Sequence, residues 1–386
     1  MTSCIKFPIL KFTKNYDTFV LVKESFADIL KKEDIKTGRK IASKIPAWAA
    51  DGITVPGKLA LEQCSSSATA RWKARFAHGR VADLTGGLGA DTYEFSKVSE
   101  KVWYNERDSV LAEAAAHNFN ILGAGNIEIH NHNISAGEPV WEEALRSFGP
   151  DFIYVDPARR DASGKKVFLL EDCSPDVLTL LPTLFDIAPE IMIKLSPMAD
   201  ISMVASRLGP SLVEIQAVGH EGECKELLCL LRKGFSGEWK ITATDLSEEF
   251  TFLPSEEAGC IADYAREALE YLYEPGPSLM KAGAFKLLCR RFGILKLDRD
   301  TQLYFSSRAD LPLGKVNKIL EILRFDKSTV KSISNRWPEA GITVRNFPMG
   351  AEALRSRLRI RQGNRLHIYA CTFRGERILA VCEKVL

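Results

Sequence analysis

The sequence predicts an α/β fold in which a parallel sheet carries helices on both faces. Between residues 80 and 240, short apolar segments alternate with amphipathic helical segments, the pattern of consecutive β/α units. A glycine-rich turn follows the first apolar segment, as expected where a strand enters a helix at a ligand site. The sequence before residue 80 is helical in pattern, and the sequence after 240 mixes both element types.

The predicted sheet elements follow one another in a regular order. Strands are predicted at RVADLT, KVWYNERD, NIEIHN, DFIYVD and EIMIKLS, each followed by a helix: GADTYEFSKV, SVLAEAAAHNFNILGA, PVWEEALRSFG, SPDVLTLLPTLFDIA and ISMVASRLG. LVEIQAVGHEGECKELLCLLRKG then predicts two strands forming a hairpin. Five β/α units and a hairpin predict seven strands.

The flanking segments have different patterns. Residues 1–79 predict a helical region, broken near Pro46, Pro56 and Gly57. After the sheet, WKITATDLSEEFTF is a strand-like passage that leads out of the domain. IADYAREALEYLYE predicts a helix, which Pro275-Gly276-Pro277 ends, and a second helix and an α+β region follow.

The composition is that of a soluble globular protein. Apolar residues make up 46% and charged residues 26% of the 386 residues. The nine cysteines include no CxxC pair, which argues against a disulfide framework or a zinc site and favours a reducing cytoplasm. No targeting segment is evident, and no apolar run reaches the ~20 residues that a membrane helix needs.

Charge is distributed unevenly along the chain. Residues 271–386 contain 22 Lys and Arg against 10 Asp and Glu, whereas residues 1–270 contain 30 against 40. A basic C-terminal segment joined to an acidic remainder indicates that the basic segment binds a polyanion.

The glycine-rich turn lies in VADLTGGLGADT. Gly86, Gly87 and Gly89 would let a nucleotide-like ligand approach the backbone closely. A dinucleotide fingerprint would place its third glycine at Thr92. The acid at the strand end, Asp83, instead favours S-adenosylmethionine, whose amino acid end would lie near that carboxylate.

Two further segments could bind the same ligand. Glu106, at the end of the next predicted strand, could accept hydrogen bonds from both ribose hydroxyls. Asn131 or Asn133 could contact the adenine amino group. His130 and His132 would share one face of a strand, but no third ligand lies near in sequence, so a metal site is disfavoured and none is predicted.

The segment FIYVDPARRD delivers an acid, a proline and two arginines to the end of the fourth strand. Pro157 fixes φ and would hold the Asp156 carboxylate in a rigid turn at the ligand-binding edge of the sheet. There Asp156 would face the group to be modified, and Arg159 and Arg160 could meet phosphate.

These motifs, in this order, resemble a class I S-adenosylmethionine-dependent methyltransferase, a Rossmann-like seven-stranded fold, over residues 80–240. DPARR takes the place of the Asn/Asp-Pro-Pro-aromatic motif of amino-group methyltransferases, with Ala158 and Arg159 in place of the second proline and the aromatic residue. The aromatic residue normally stacks on a flipped-out base, so an exocyclic amino target is in doubt. In KLSPMAD, Ser196 stands where the uracil carbon-5 methyltransferases have their cysteine nucleophile, and the only nearby thiol is Cys173. Covalent methylation at carbon 5 is therefore disfavoured.

The whole chain resembles a bacterial methyltransferase family with a THUMP-like C-terminal domain. KIPAWAADGITVPGKLALEQCSSSATARWKA, DLTGGLGADT, DPARRD, GHEGECKELLC and VRNFPMGAEALRSRLRIRQGNRLHIYACT carry the resemblance. It implies a ferredoxin-like segment at 275–314, a THUMP-like domain at 315–386, and RNA as the substrate. Four arginines of the basic segment are candidate RNA contacts: Arg355, Arg357, Arg359 and Arg361.

The leading hypothesis is therefore an S-adenosylmethionine-dependent methyltransferase of a base in tRNA or rRNA, with Asp156, Pro157 and Arg159 at the reaction site. A methyltransferase of protein or small molecules, and a non-catalytic RNA-binding protein with a degenerate methyltransferase fold, remain as alternatives. An NAD-dependent oxidoreductase is the weakest of these hypotheses.

Overall fold

The structure is a computed structural model that describes residues 38–159 and 170–385. Residues 1–37 of the predicted helical region lie outside the described residues, as does Arg160 of the DPARR segment. The backbone of Arg159 is described, and its side chain is not.

Most predicted elements of the sheet domain are confirmed. Its strands are β1 (Arg80–Asp83), β2 (Lys101–Asn105), β3 (Ile127–His130), β4 (Phe152–Val155), β5 (Ala158–Arg159), β6 (Cys173–Ser174), β7 (Glu190–Leu195), β8 (Leu212–His220), β9 (Glu223–Arg232), β10 (Lys240–Thr244) and β11 (Glu249–Phe252). The helices of the N-terminal region are α1 (38–44), α2 (Lys58–Gln63) and α3 (Ser67–Ala74). Those that follow β1 are α4 (Ala90–Ser96), α5 (Ser109–Ile121), α6 (Pro139–Phe148), α7 (Val177–Ile187), α8 (Ile201–Leu208) and α9 (Pro254–Gly259).

The large sheet has the order β11-β10-β8-β9-β7-β4-β1-β2-β3. β1 to β4 and β7 are parallel, and β9 is inserted antiparallel between β7 and β8, so the predicted terminal hairpin is confirmed. The prediction that the next passage leads out of the domain is wrong, because β10 pairs with β8 and β11 pairs with β10. The seven predicted strands are thus part of a nine-stranded sheet.

Alternation along the strands places apolar side chains on both faces of this sheet. In β4, Ile153 and Val155 belong to one buried cluster, and Phe152 and Tyr154 belong to the cluster on the opposite face. A strand buried on both faces reads as a continuous apolar run, which is why FIYV precedes Asp156 without a polar residue.

The N-terminal helices pack beside the glycine-rich turn. The helical pattern from residue 59 to 76 forms two helices, α2 and α3, because Ser66 caps α3 by accepting a hydrogen bond from the amide of Thr69. Trp48, buried after α1, contacts Tyr93 and Phe119 edge-on. These contacts fasten the helical region to α4 and α5 next to the candidate site.

The C-terminal half forms a second, seven-stranded sheet of order β13-β14-β12-β15-β18-β17-β16. Its strands are β12 (Tyr271–Pro275), β13 (Leu295–Asp298), β14 (Thr301–Ser306), β15 (Gly314–Arg324), β16 (Gly341–Arg345), β17 (Leu366–Phe373) and β18 (Glu376–Lys384). Its helices are α10 (Pro277–Ala282), α11 (Leu287–Phe292), α12 (Lys327–Arg336) and α13 (Ala351–Leu358). The helix predicted from residue 261 to 274 is wrong, because β14 and β15 pair with both edges of β12.

The two sheets are joined by a close contact at α10. A Cβ at Gly219 in β8 would lie 3.1 Å from the carbonyl oxygen of Thr244 and 3.3 Å from Ser278 of α10, so a side chain there would push the helix away. Lys281 donates a hydrogen bond of 2.6 Å to the carbonyl of Ala199. Within the described residues, no helix has the length and apolar character needed to cross a membrane.

Candidate active site

The glycine-rich turn connects β1 to α4. The amide of Gly86 donates to the carbonyl of Asn105 at 2.7 Å, and a Cβ on Gly86 would lie 2.1 Å from the ring of Tyr104. Gly89 caps α4 in a left-handed conformation (φ 93°), where a Cβ would lie 2.4 Å from Phe119. Glycine is therefore required at both positions by the packing below the turn. The Tyr104 hydroxyl donates to the carbonyl of Gly87 and fixes the turn from beneath.

Asp83 ends β1 and is 1% exposed. Its carboxylate accepts hydrogen bonds from the amide of Thr85 at 3.1 Å and from the Thr92 hydroxyl at 2.6 Å. Burial raises the pKa of this carboxyl to about 8, and the nearby Asp91 contributes in the same direction. Thr92 therefore binds the strand-end acid at the position where a dinucleotide fingerprint has its third glycine.

Glu106 lies across the turn from Asp83, just beyond the end of β2. Its carboxylate accepts hydrogen bonds from the amides of Gly87 and Asp108, each at 2.9 Å. A carboxylate has four acceptor positions, so two remain for hydroxyl donors. The turn is thus bracketed by two carboxyl groups, one at each strand end.

The segment after β3 lies beside Glu106. Asn131 donates to the Glu106 carbonyl at 2.5 Å, whereas Asn133 lines a cavity of about 340 Å³ together with Ile134 and Ser174. His130 and His132 stack with Trp103, their ring centroids 4.5 and 6.2 Å from it. Within the described residues, no three His, Cys, Asp or Glu side chains are grouped so that they could hold a metal ion.

Asp156 follows β4, next to β1 in the sheet. Its amide donates to the Thr85 hydroxyl at 2.6 Å, so it is tied directly to the glycine-rich turn. Its carboxylate is 34% exposed and lies 2.6 Å from the ammonium of Lys194. Pro157 is buried, and the backbone of Arg159 pairs with Cys173 in a two-stranded ribbon. This geometry brings Asp156 and the turn together.

Lys194 was not identified from the sequence. It comes from the apolar strand β7, and its side chain is only 16% exposed. Burial alone would lower the pKa of Lys194, but the carboxylates of Asp156, Glu226 and Asp91 outweigh burial and raise it, so the ammonium stays charged. The one signal in the sequence was a single lysine in EIMIKL, where a charge needs a partner.

A second buried lysine, also missed, lies behind this pair. The fully buried Lys73 of α3 donates to Glu226 at 2.9 Å and to Ser65 at 2.9 Å. Its ammonium lies 3.1 Å from Asp91, whose other carboxylate oxygen accepts from Ser65 and Tyr154. This cluster joins α3, α4, β4 and β9 at the edge of the sheet that holds Asp156.

A cavity of about 570 Å³ opens between the N-terminal helices and the carboxyl end of β7. Lys194 and Glu226 line its inner part, and Lys40, Arg71 and Lys225 lie around it. Its volume falls within the range of ligand pockets, which is about 300–1,000 Å³. Of the Asp156–Lys194 pair, Lys194 lines this cavity.

The four candidate RNA-binding arginines lie on and after α13. Arg355 differs from the expectation, because its side chain is 16% exposed and donates to the carbonyl of Ala340 at 2.9 Å. Arg357, Arg359 and Arg361 are exposed, and Arg361 lies 3.8 Å from Glu339. Arg355 therefore has a packing role, whereas the other three are exposed, with the Arg357 guanidinium 5.4 Å from the centroid of the Phe325 ring.

The fold and this site define a class I S-adenosylmethionine-dependent methyltransferase. The bracketed turn fits that cofactor, because Gly87 has open space where a Cβ would be, apart from the Thr85 carbonyl at 4.0 Å. The strand order of the central sheet places the turn and Asp156 at the carboxyl ends of adjacent strands, where such sheets bind ligands.

Comparisons with known proteins place the chain in a family. Residues 271–312 match a ferredoxin-like domain family, and residues 314–384 match the THUMP domain-like family. The crystal structure of a proposed methyltransferase from Porphyromonas gingivalis W83 is 31% identical, with a TM-score of 0.84, over 92% of this chain and 89% of that one. The chain belongs to the same family of methyltransferases.

More distant structures resemble only part of the chain. A precorrin-6y C5,15-methyltransferase from Geobacter metallireducens is 12% identical (TM-score 0.33) over 47% of this chain and 94% of its own. An rRNA methylase from Streptococcus thermophilus is 15% identical (TM-score 0.30) over 43% and 94%. These TM-scores are too low to bear on function. Curated protein sequences give no match.

Proposed function

We propose that the protein methylates a base in structured RNA, either tRNA or rRNA. The observation that carries the proposal is the THUMP-like region at 314–384, which lies within a segment holding 22 Lys and Arg against 10 Asp and Glu. THUMP domains in general bind RNA, and phosphate neutralisation supplies much of the affinity for nucleic acids. The cytoplasm, where such RNA is modified, is the proposed location.

The cofactor would be held by the two carboxyl groups that bracket the turn. In this proposal Glu106 accepts the ribose hydroxyls, Asp83 lies near the amino acid end, and Gly86, Gly87 and Gly89 leave room for the ligand. Asn133 faces a cavity and is the better candidate for the adenine contact, while Asn131 positions Glu106. S-Adenosylmethionine supplies an electrophilic methyl group, and the chain supplies positioning for the acceptor.

Asp156 and Pro157 would orient the acceptor. The buried proline, and the hydrogen bond that the Asp156 amide donates to the Thr85 hydroxyl, hold the backbone of Asp156 next to the turn. Arg159 is proposed to meet RNA phosphate, as are Arg357, Arg359 and Arg361. Because β10 and β11 extend the sheet, we place the methyltransferase domain from residue 80 to Phe252 rather than to 240.

Nucleoside mass spectrometry of tRNA and rRNA from a deletion strain and its parent tests this function. One methylated nucleoside should be absent from the deletion strain, and wild-type protein should restore it while the Asp156→Ala variant should not. If both RNA classes have the same nucleosides with and without the gene, RNA is not the substrate, and a protein or small-molecule acceptor becomes the better hypothesis.

A further inference from the structure

The Asp156–Lys194 pair limits the kinds of chemical group that the site could bind as methyl acceptor. The two groups lie 2.6 Å apart at the carboxyl ends of adjacent strands β4 and β7, and Lys194 lines the 570 Å³ cavity. The carboxylate has further acceptor positions, and the ammonium has two further N–H donors. Together they offer a hydrogen-bond acceptor and a donor side by side, with the donor residue lining a cavity.

We propose that Asp156 and Lys194 bind a lactam edge of the RNA base, N1–H with O6 of guanine or N3–H with O4 or O2 of uracil, and that this ring nitrogen is methylated. The proposal rests on the function proposed above. It names Lys194 as a second catalytic residue and a lactam nitrogen as the acceptor, in place of an exocyclic amino group.

The positive charge of Lys194 favours a lactam nitrogen over an amino group as the methyl acceptor. Adenine and cytosine also offer a donor beside an acceptor, but an ammonium on their ring nitrogen would draw electrons away from the amino group and weaken it as a nucleophile. A lactam nitrogen becomes nucleophilic by losing its proton, and the negative charge spreads to the neighbouring oxygen. A fixed cation at that oxygen stabilises charge where it develops.

Residues of this chain account for the proton that the proposed methyl transfer releases. The lactam nitrogen forms a bond to the methyl carbon, its proton passes to Asp156 and then to solvent, and the electron pair of the broken carbon–sulfur bond stays on sulfur. The ammonium of Lys194 remains protonated throughout, consistent with its raised pKa.

The sequence around Asp156 agrees with this assignment. The position where amino-group enzymes carry a stacking aromatic residue is Arg159, and the residue before it, Ala158, is exposed. The surroundings of Lys194 are also suitable for a fixed cation, since Glu226 and Asp91 lie near it in addition to Asp156. An ammonium held this way keeps its charge when the acceptor displaces water.

Nucleotide binding to the protein saturated with S-adenosylhomocysteine, which fills the proposed adenosine pocket, provides the first test. Calorimetry should show that GMP or UMP binds at least several-fold more tightly than AMP and CMP, because a lactam N–H is more acidic than an amino N–H and donates a stronger hydrogen bond to a carboxylate. Lys194→Met should reduce this preference, and Lys194→Arg should retain it. Lys101→Met, which removes an exposed lysine at the start of β2, is the matched control and should bind as wild type does. Equal binding of all four nucleotides would overturn the proposal.

The modified position provides the second test. Wild type and cofactor with RNA should yield 1-methylguanosine or 3-methyluridine, and Lys194→Met should reduce the rate about a hundredfold or more. The Lys194→Met variant should still fold, because Asp156 is one-third exposed and Lys73 still pairs with Glu226 and Asp91, and its melting temperature checks this. Methylation of an amino group, a ring carbon or the ribose overturns this inference alone. No RNA methylation by wild type overturns the proposed function as well.

Discussion

Gly89 sets the shape of the glycine-rich turn through two separate requirements. It needs φ near 93°, and a Cβ there would also collide with Phe119. Gly123 has a similar φ of 71° but nothing within 4 Å. We therefore expect Gly123→Ala to cost about 1–2 kcal/mol from backbone strain alone, and Gly89→Ala to cost a further 1–3 kcal/mol from overpacking.

Urea unfolding of both variants measures this difference, and calorimetry with S-adenosylmethionine should show lost binding only for Gly89→Ala. Equal stability of the two variants would mean that the turn tolerates a side chain and that the packing below it is loose.

Asp83 should make stability depend on pH. Its folded pKa of about 8 is above the unfolded value of about 3.9, so the native state binds the extra proton between these values. The stabilisation from that proton is fully present below about pH 4 and is lost as pH rises to about 8, at most about 1.4 kcal/mol per pH unit.

Asp83→Asn imitates the protonated acid, because its amide can donate to Thr92 and its carbonyl can accept from Thr85. Melting temperatures of the cofactor-free proteins should be similar at pH 5, and the variant should be the more stable at pH 8. A constant difference across this range would contradict the raised pKa of Asp83.

At the scale of single elements, α3 holds the N-terminal helices against the sheet through Lys73. Removing the ammonium would leave Glu226 and Asp91 buried without their cation. We expect Lys73→Met to cost about 3–5 kcal/mol. Arg75→Met, two residues on, removes an exposed pair with Glu249 and a cation–π contact with Trp72, and should cost at most about 2 kcal/mol.

Chemical denaturation of the two α3 variants distinguishes these values. A small loss for Lys73→Met would show that the two carboxyl groups are stable without it, and that α3 is held by apolar packing instead.

The elements differ in how far sequence could predict them. The β/α units were predictable because each strand is a short apolar run and each helix has one apolar face. The strand β12 was missed because AREALEYLYE reads as an amphipathic helix, and pairing with two neighbouring strands overrides that preference.

In the candidate site, too, some residues could be predicted from the sequence and others could not. The turn glycines and the strand-end acids follow from local sequence, because one strand and one turn determine their positions. Lys73 and Lys194 depend on partners distant in sequence, Lys73 lying 153 positions from Glu226. Such a pairing follows only from the strand order.

At the scale of the whole molecule, the basic region should bind RNA through phosphates. Neutralising the exposed arginines Arg357, Arg359 and Arg361 to glutamine should weaken tRNA binding and lower the dependence of log Kd on log salt by about two to three units. Neutralising Arg75 of the N-terminal helical region together with Arg207 and Arg232 of the methyltransferase domain, each paired with an acid, changes the net charge equally.

Fluorescence anisotropy across a series of salt concentrations measures the tRNA affinity of both triple variants. A loss of affinity that is the same for the two sets would show that net charge alone, rather than the region around α13, drives binding.

The ferredoxin-like and THUMP-like parts share one sheet, since β12 and β15 are paired neighbours. They should therefore be tested together and in the full chain. Contacts at α10 join that sheet to the methyltransferase domain, so bound RNA would be held at a fixed distance from Asp156.

The most direct test of the account is transfer of a deuterated methyl group from S-adenosylmethionine to RNA by the purified full-length protein, read by nucleoside mass spectrometry. Label is expected in one nucleoside with wild type, and in none with Gly89→Ala or Asp156→Asn. Wild-type protein that leaves RNA unlabelled, although it binds both the cofactor and the RNA, would contradict it.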